Sequence, residues 1–293
     1  MRTVAFIGLG VMGGPMAVNL VRAGFDVRGF NRSPAKGEAL EAAGGTAYRS
    51  IREAVEGAEV VCVIVPGSAD VESVLLGEDG VLASAAPGTV VVDFSSIRPT
   101  VARELAQAAE ERGMRLLDAP VSGGEAGAVA GTLSVMAGGD DEAFERARPV
   151  LEAVGRTIGH VGPSGAGQTV KAANQLVVAA HLQVLAEAVV FLEAYGVELD
   201  PALDVLGGGL AGSAVLEQKR DLMRDREFVP GARMALHHKD LGAYLEASRA
   251  AGVASPVGAL LGELVAAAMA AGDQDLDHSA LLRGVERLSG RLP

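Results

Sequence analysis

The stretch VAFIGLGVMGGPM, Val4 to Met16, decides how the chain is read. Its first four residues are apolar and suit a buried strand, and the run that follows, on to Ala23, carries a helical pattern. Between them Gly8, Gly10 and Gly13 stand in G-x-G-x-x-G spacing. Each glycine has its own task in such a turn. Gly8 permits the tight bend, Gly10 lets a pyrophosphate approach the backbone, and Gly13 lets the new helix pack closely on the strand. The amide groups at the start of that helix then face the phosphates. The turn Gly8, Leu9, Gly10, Val11, Met12, Gly13 is therefore expected to bind a dinucleotide. With 39 glycines in the chain the spacing alone says little. The strand before it, the helix after it and the second strand beyond give it meaning.

The end of that second strand bears on which dinucleotide binds. A site for NAD usually carries Asp or Glu there, bonded to the ribose 2′-hydroxyl. This chain has GFNRSP, with Asn31, Arg32 and Ser33. No carboxylate repels a 2′-phosphate, and a guanidinium and a hydroxyl are at hand to hold one. NADP is the expected cofactor, with NAD as the alternative. Two further strand ends are expected to meet it, because ligands of open α/β sheets sit at the carboxyl ends of strands. VIVPGS supplies Val65 and Pro66, and VVVDFSS supplies Ser96, which could also cap a helix.

Outward from the glycine turn, β-rich runs alternate with helical patterns. The runs are TVAFIG, FDVRGFN, EVVCVIVP, TVVVDFSS, RLLDAPVS, TLSVMAGG and RTIGHVG. Most are apolar on both faces, as in a parallel sheet covered on each side. Helices are predicted between them over 13–23, 101–112 and 141–155. The fold class is α/β, a Rossmann-type doubly wound sheet followed by an all-helical C-terminal domain. After Gly162 the strands stop. A long helix of about 40 Å follows, then helices over 201–207, 215–225, 237–251, 256–271 and 278–288. The expected division is 1–162 for the dinucleotide-binding domain and 163–293 for the helical domain, with the ligand in the cleft between them.

Composition narrows the function. The 293 residues are 49% hydrophobic but only 3% aromatic, so the core must be built from Ala, Val and Leu. The net charge of −12 argues against nucleic acid and anionic membrane as partners. One cysteine, Cys62, lies in an apolar run, so it forms no internal disulfide and suits a reducing cytoplasm. The N-terminus lacks the apolar length and cleavage site of a signal peptide. The longest uncharged stretch, 172–186, contains Asn174, Gln175, His181 and Gln183, where a membrane span needs about 20 largely apolar residues. A soluble cytoplasmic protein is expected. The five histidines show no ligand spacing with carboxylate or cysteine partners, so no metal site is expected.

Two features point to chemistry. DAPVSGGEAGAVAGTLSVMAGG follows a strand and is rich in small residues; its Ser122, Gly123 and Gly124 can present a hydroxyl and bare amides to an anion. In GAGQTVKAANQ, Lys171 stands at the head of an otherwise apolar helix, with Asn174 and Gln175 one turn later. Reducing a carbonyl builds negative charge on oxygen, and an ammonium in a cleft supplies both countercharge and proton. Asn174 lies close enough to orient either the lysine or the substrate.

The motifs FIGLGVMGGPMAVNL, DAPVSGG, GAGQTVKAANQ and HHKDL together resemble the β-hydroxyacid dehydrogenase family, relatives of 3-hydroxyisobutyrate and 6-phosphogluconate dehydrogenases. The likeness runs from about residue 3 to residue 285. GGLAGSAVL, MRDREFVPGARMALHHKDL and DHSAL make the second half most similar to the tartronate semialdehyde reductase branch. The resemblance implies that Lys171 is the catalytic lysine and Asn174 its partner. Gln175, beside the substrate, replaces the commoner Asn. Lys239 reaches the nicotinamide side, and Ser96 falls where relatives keep Thr or Ser near the cofactor. It also implies a small anionic hydroxyacid or semialdehyde substrate and a homo-oligomer, dimer or tetramer. The alternatives are a 3-hydroxyisobutyrate dehydrogenase, a succinic or glyoxylate semialdehyde reductase, an imine reductase, which usually lacks the lysine, and a non-catalytic dinucleotide-binding module.

Overall fold

The computed structural model describes residues 2–291. Contacts divide the chain into two compact units, Met1–Lys171 and Ala172–Pro293.

The first unit carries nine strands among the described residues: β1 Thr3–Ile7, β2 Asp26–Phe30, β3 Thr46–Tyr48, β4 Val60–Val63, β5 Val90–Asp93, β6 Arg115–Asp118, β7 Val121–Ser122, β8 Leu133–Gly138 and β9 Gly155–Gly162. Eight helices separate them: α1 Gly13–Arg22, α2 Glu38–Ala42, α3 Ile51–Val55, α4 Ser68–Leu76, α5 Val81–Ser84, α6 Pro99–Glu110, α7 Gly124–Ala130 and α8 Asp141–Val154. The sheet runs β3-β2-β1-β4-β5-β6-β8-β7, with β9 on β8. Its first six strands are all parallel and change direction of growth between β1 and β4. That reversal is where doubly wound sheets hold dinucleotides.

Alternation along the strands accounts for the two covered faces. Val4, Phe6, Val60, Cys62, Val90 and Val92 point into one core with Met16, Leu20, Phe144 and Val150. Ala5, Ile7, Val61, Val63 and Val91 point into the other with Val55, Val71, Leu75 and Leu105. Cys62 is fully buried, and burial pushes its thiol well above the usual range. The expected doubly wound sheet is present, with one departure from the parallel reading. β8 runs antiparallel to β6 and β7. The connection 123–132 is shorter than the dozen or so residues a parallel crossover needs, so the chain turns back on itself. The three-residue β3 is an addition to the strands read from sequence, and the run RLLDAPVS divides into β6 and the two-residue β7.

The first unit also extends past the expected boundary at residue 162, because it holds the first turn of the longest helix, α9 Ala166–Ala194. Asp118, at the end of β6, accepts the amides of Gly165 (2.7 Å) and Gln168 (2.8 Å). Two glycines make room for this junction. A Cβ on Gly167 would lie 2.2 Å from the Met136 carbonyl oxygen, and one on Gly138 would lie 2.8 Å from the Asp118 carboxylate. Burial raises the Asp118 carboxyl above its usual range, and the backbone donors offset part of that rise.

The second unit comprises the rest of α9 with α10 Leu199–Gly207, α11 Ala214–Asp225, α12 Met234–Ala250, α13 Pro256–Ala270 and α14 Leu281–Leu288. α9 is long and apolar enough to cross a membrane. Its Leu182, Ala186 and Val189 are instead buried in this unit's core, with Leu203, Met223, Leu241 and Val265. The predicted helices match these closely; the last begins with a 3-10 turn, His278–Ala280, that Asp277 caps. Asp277 is buried and accepts from Gly231 N, Ala232 N, Ser279 N and Lys219 Nζ. Arg226, in the left-handed region at φ 55°, ends α11 and pairs with Glu193 and Glu286.

Burial pushes the Asp277 carboxyl up, but the charges of His278 and Lys219 and its hydrogen bonds outweigh that and hold it at about 2. A depressed pKa stabilises the fold fully above the ordinary value and loses that effect as pH falls through the folded one. Melting temperature should therefore drop between about pH 4 and pH 2. Asp277→Asn should cost about 3 kcal/mol at neutral pH, leaving Lys219 without its counterion, and should make the acid-induced drop shallower. Melts across this range read both; an unchanged slope in Asp277→Asn contradicts the assignment.

Candidate active site

The glycine turn has the geometry its spacing implies. Gly8 adopts φ +102°, and a Cβ there would lie 2.1 Å from the Ile64 carbonyl oxygen at the end of β4. A Cβ on Gly13 would lie 1.9 Å from the Gly8 carbonyl oxygen, so only glycine lets α1 start against β1. Around Gly10 a Cβ would meet nothing within 4 Å. That open, exposed backbone leaves room for a ligand to approach. α1 has no acidic residue in its first turn and no side chain capping its N-terminus, so its first amides can receive an anion. These residues fit a dinucleotide phosphate.

At the end of β2 the side-chain Oδ1 of Asn31 accepts from Leu9 N at 3.0 Å, and its Nδ2 donates to Ser33 O at 3.1 Å. Asn31 thus braces the glycine turn. Arg32 and Ser33 are exposed. At the next strand ends, Val65 N donates to Ser95 Oγ at 2.9 Å. Ser96 is half-buried, and α6 is entered through Arg98 rather than Ser96.

The loop after β6 and the head of α9 meet within the same unit. Lys171 is 9% exposed, and its Nζ donates to Val121 O at 2.8 Å. Its ammonium therefore lies against the residue that precedes Ser122, Gly123 and Gly124. Gly123 (φ +137°) and Gly124 (φ +62°) hold conformations that favour glycine, and both are exposed.

In the second unit, Asn174 Nδ2 donates to Gln175 Oε1 at 2.8 Å, and Gln175 Nε2 donates to Asp240 Oδ2 at 2.7 Å. Lys239 Nζ lies 3.1 Å from Asp240 Oδ1. Asp240 thus ties together three residues singled out from sequence, yet it was not among them. Its signal was its place in HHKDL beside Lys239. Gln168 was missed too, although it lies in the same motif as Lys171. It is 1% exposed and bonded at both ends of its amide. His278 packs edge-on against His237, ring centroids 5.1 Å apart. Among the described residues no three His, Cys, Asp or Glu side chains form a set that could hold a metal ion.

An open glycine turn at the switch point of a doubly wound sheet, with a buried ammonium beside a glycine-rich loop, defines a nicotinamide-dependent oxidoreductase. Comparison with known proteins gives the family. Residues 3–162 match the model for the NAD-binding domain of 6-phosphogluconate dehydrogenase. Residues 165–285 match that for the NAD-binding domain of NADP-dependent 3-hydroxyisobutyrate dehydrogenase. The chain is 40% identical to the 2-hydroxy-3-oxopropionate reductase of Escherichia coli, over 98% of each chain. It is 41% identical to the NAD-dependent L-serine dehydrogenase of Pseudomonas aeruginosa, over 99% of this chain and all of that one. The solved structure of Mycobacterium tuberculosis 3-hydroxyisobutyrate dehydrogenase with L-serine aligns with a TM-score of 0.87 at 40% identity, covering 97% of this chain and 99% of that one. The chain belongs to the β-hydroxyacid dehydrogenase family and is an NAD(P)-dependent oxidoreductase.

Proposed function

We propose that the enzyme reduces 2-hydroxy-3-oxopropanoate (tartronate semialdehyde) to glycerate with NADPH. The observation that carries this reading is the hydrogen bond from Lys171 Nζ to Val121 O, which holds the ammonium beside the Ser122–Gly124 loop. The nicotinamide, when bound, supplies hydride to the aldehyde carbon. As negative charge builds on the carbonyl oxygen, Lys171 stabilises it and gives it a proton, leaving a primary alcohol. The Ser122 hydroxyl and the amides of Gly123 and Gly124 hold the substrate carboxylate, whose charge needs donors at fixed positions. Asn174 orients the lysine or the substrate's 2-hydroxyl, and Gln175, braced by Asp240, borders the same group. Val65, Pro66, Ser96 and Lys239 face the nicotinamide half of the cofactor.

NADPH is favoured because Asn31 is engaged by the glycine turn, leaving Arg32 and Ser33 to meet a 2′-phosphate. The buried thiol of Cys62 suits work in the cytoplasm. A second reading is oxidation of L-serine, favoured by the Pseudomonas aeruginosa relative named for it. Both substrates carry a carboxylate, a heteroatom at C2 and an oxygen at C3, so the same residues serve, with Lys171 accepting the proton in the oxidative direction.

A second copy of the chain is proposed to cover α9, where Val177, Val184 and Phe191 recur every seventh residue and are more than half exposed. A homo-oligomer results, dimer or tetramer. Light scattering reads the copy number; Phe191→Glu should weaken the assembly, and a monomeric parent would remove the proposal.

Assay of 2-hydroxy-3-oxopropanoate, L-serine and 3-hydroxyisobutyrate with both cofactors tests the substrate; the highest kcat/KM for anything but the first overturns it. Lys171→Ala should lower kcat by about 10²–10⁴ with cofactor binding intact. Lys171→Arg should rescue poorly, because a guanidinium keeps its proton at neutral pH. A Lys171→Ala enzyme turning over within about tenfold of the parent refutes the role.

For the cofactor, Arg32→Ala should lose about 1–3 kcal/mol of binding with NADPH, the scale of a charged hydrogen bond, and little with NADH. Equal losses with both would sink the 2′-phosphate assignment.

A further inference from the structure

We infer that Gln168 is a positioning residue that locks Lys171 and the Ser95–Ile97 loop into one register, so that proton donor and cofactor address the same carbonyl. The inference rests on the proposed role of Lys171.

Gln168 sits in the first turn of α9, one turn before Lys171, and is almost wholly buried. Its side-chain amide has two partners on the loop after β5. Nε2 donates to Ser95 O at 2.8 Å, and Oε1 accepts from Ile97 N at 3.0 Å. The two bonds bracket Ser96 from either side, as a neighbouring strand would. Ser95 in turn accepts the Val65 amide on its hydroxyl and donates its own amide to Asp93 Oδ1. The loops after β4 and β5 therefore form one hydrogen-bonded block, and Gln168 is its tie to α9. At its other end the same turn is fixed by Asp118, which accepts Gln168's own backbone amide.

Residues three apart on a helix share a face. Any shift of Gln168 along the helix axis thus carries Lys171 with it, away from Val121 O. A buried glutamine satisfied at both ends resists that shift, because moving it strands a donor and an acceptor out of water. An apolar residue of similar size would fill the space without specifying the register.

The test is a mutant cycle on the full-length enzyme with NADPH and 2-hydroxy-3-oxopropanoate. Gln168→Leu removes both bonds at similar volume. It should keep the fold by circular dichroism and bind NADPH within about fivefold of the parent, while kcat falls at least about thirtyfold, as expected for a misplaced reacting group. In a Lys171→Ala background the same change should cost less than about threefold, because the group it positions is gone. An equal loss of kcat in both backgrounds, or a loss confined to NADPH affinity, would overturn the inference and leave Gln168 with a packing role. Lys171→Ala alone tests the parent reading. If that variant is crippled and Gln168→Leu is not, only the positioning role fails; if it stays active, the role assigned to Lys171 fails, and this inference with it. Should Gln168→Leu not fold, Gln168→Glu enters the same cycle. It is isosteric, keeps the acceptor for Ile97 N and turns the donor facing Ser95 O into a second acceptor.

Discussion

A buried carboxylate fixes where the longest helix of the chain begins. Asp118 closes β6 and receives two amides from the start of α9. A helix N-terminus carries unpaired donors and partial positive charge, and a carboxylate carries what both need. Neither would be stable alone in a dry interior. The close approach is possible because Gly138 and Gly167 bring no side chain to the junction. Lys171 follows within two turns of this anchor, so the position of its ammonium is inherited from the end of a strand in the parallel sheet.

The same economy runs through the first unit. Chain segments that meet at the carboxyl edge of the sheet are held by side chains bonding to backbone: Asn31 to Leu9, Ser95 to Val65, Gln168 to Ser95 and Ile97. Backbone groups there cannot be satisfied by the ladder, which has ended, and each needs another partner. The second unit uses charge instead. Asp277 gathers Lys219 and three amides around one turn, and Arg226 joins two glutamates from different helices.

Much of this is local and therefore legible in the sequence. The glycine turn could be read because each glycine's task follows from its neighbours, and the helices of the second half could be read because apolar spacing repeats along each. The reversed direction of β8 could not, since strand polarity depends on the length of the return path rather than on the strand's own residues. The strand Val121–Ser122 is too short to show alternation. Gln168 and Asp240 escaped notice for a different reason. Gln168 bonds across 71 and 73 positions, and Asp240 meets Gln175 across 65. Beside Lys171 and Lys239 in their motifs, both looked like filler. Gln175, read as a substrate contact that departs from a commoner asparagine, gains a physical account from its long amide, which spans from Asn174 to Asp240.

On the proposed assignment of a 2′-phosphate to Arg32 and Ser33, the brace between Asn31 and the glycine turn separates two jobs that many dinucleotide sites combine. Where a carboxylate at the end of the second strand both shapes the pocket and chooses the nucleotide, changing preference risks the pocket. Here the side chain that supports Leu9 is that of Asn31, and the exposed pair after it joins the brace only through the Ser33 carbonyl, which any residue supplies. Side-chain substitutions at positions 32 and 33 that keep the Ser33 carbonyl in place therefore leave the Asn31 brace on the glycine turn intact. On the proposed assignment of Arg32 and Ser33 to the 2′-phosphate, cofactor preference in this chain can change by surface substitution alone.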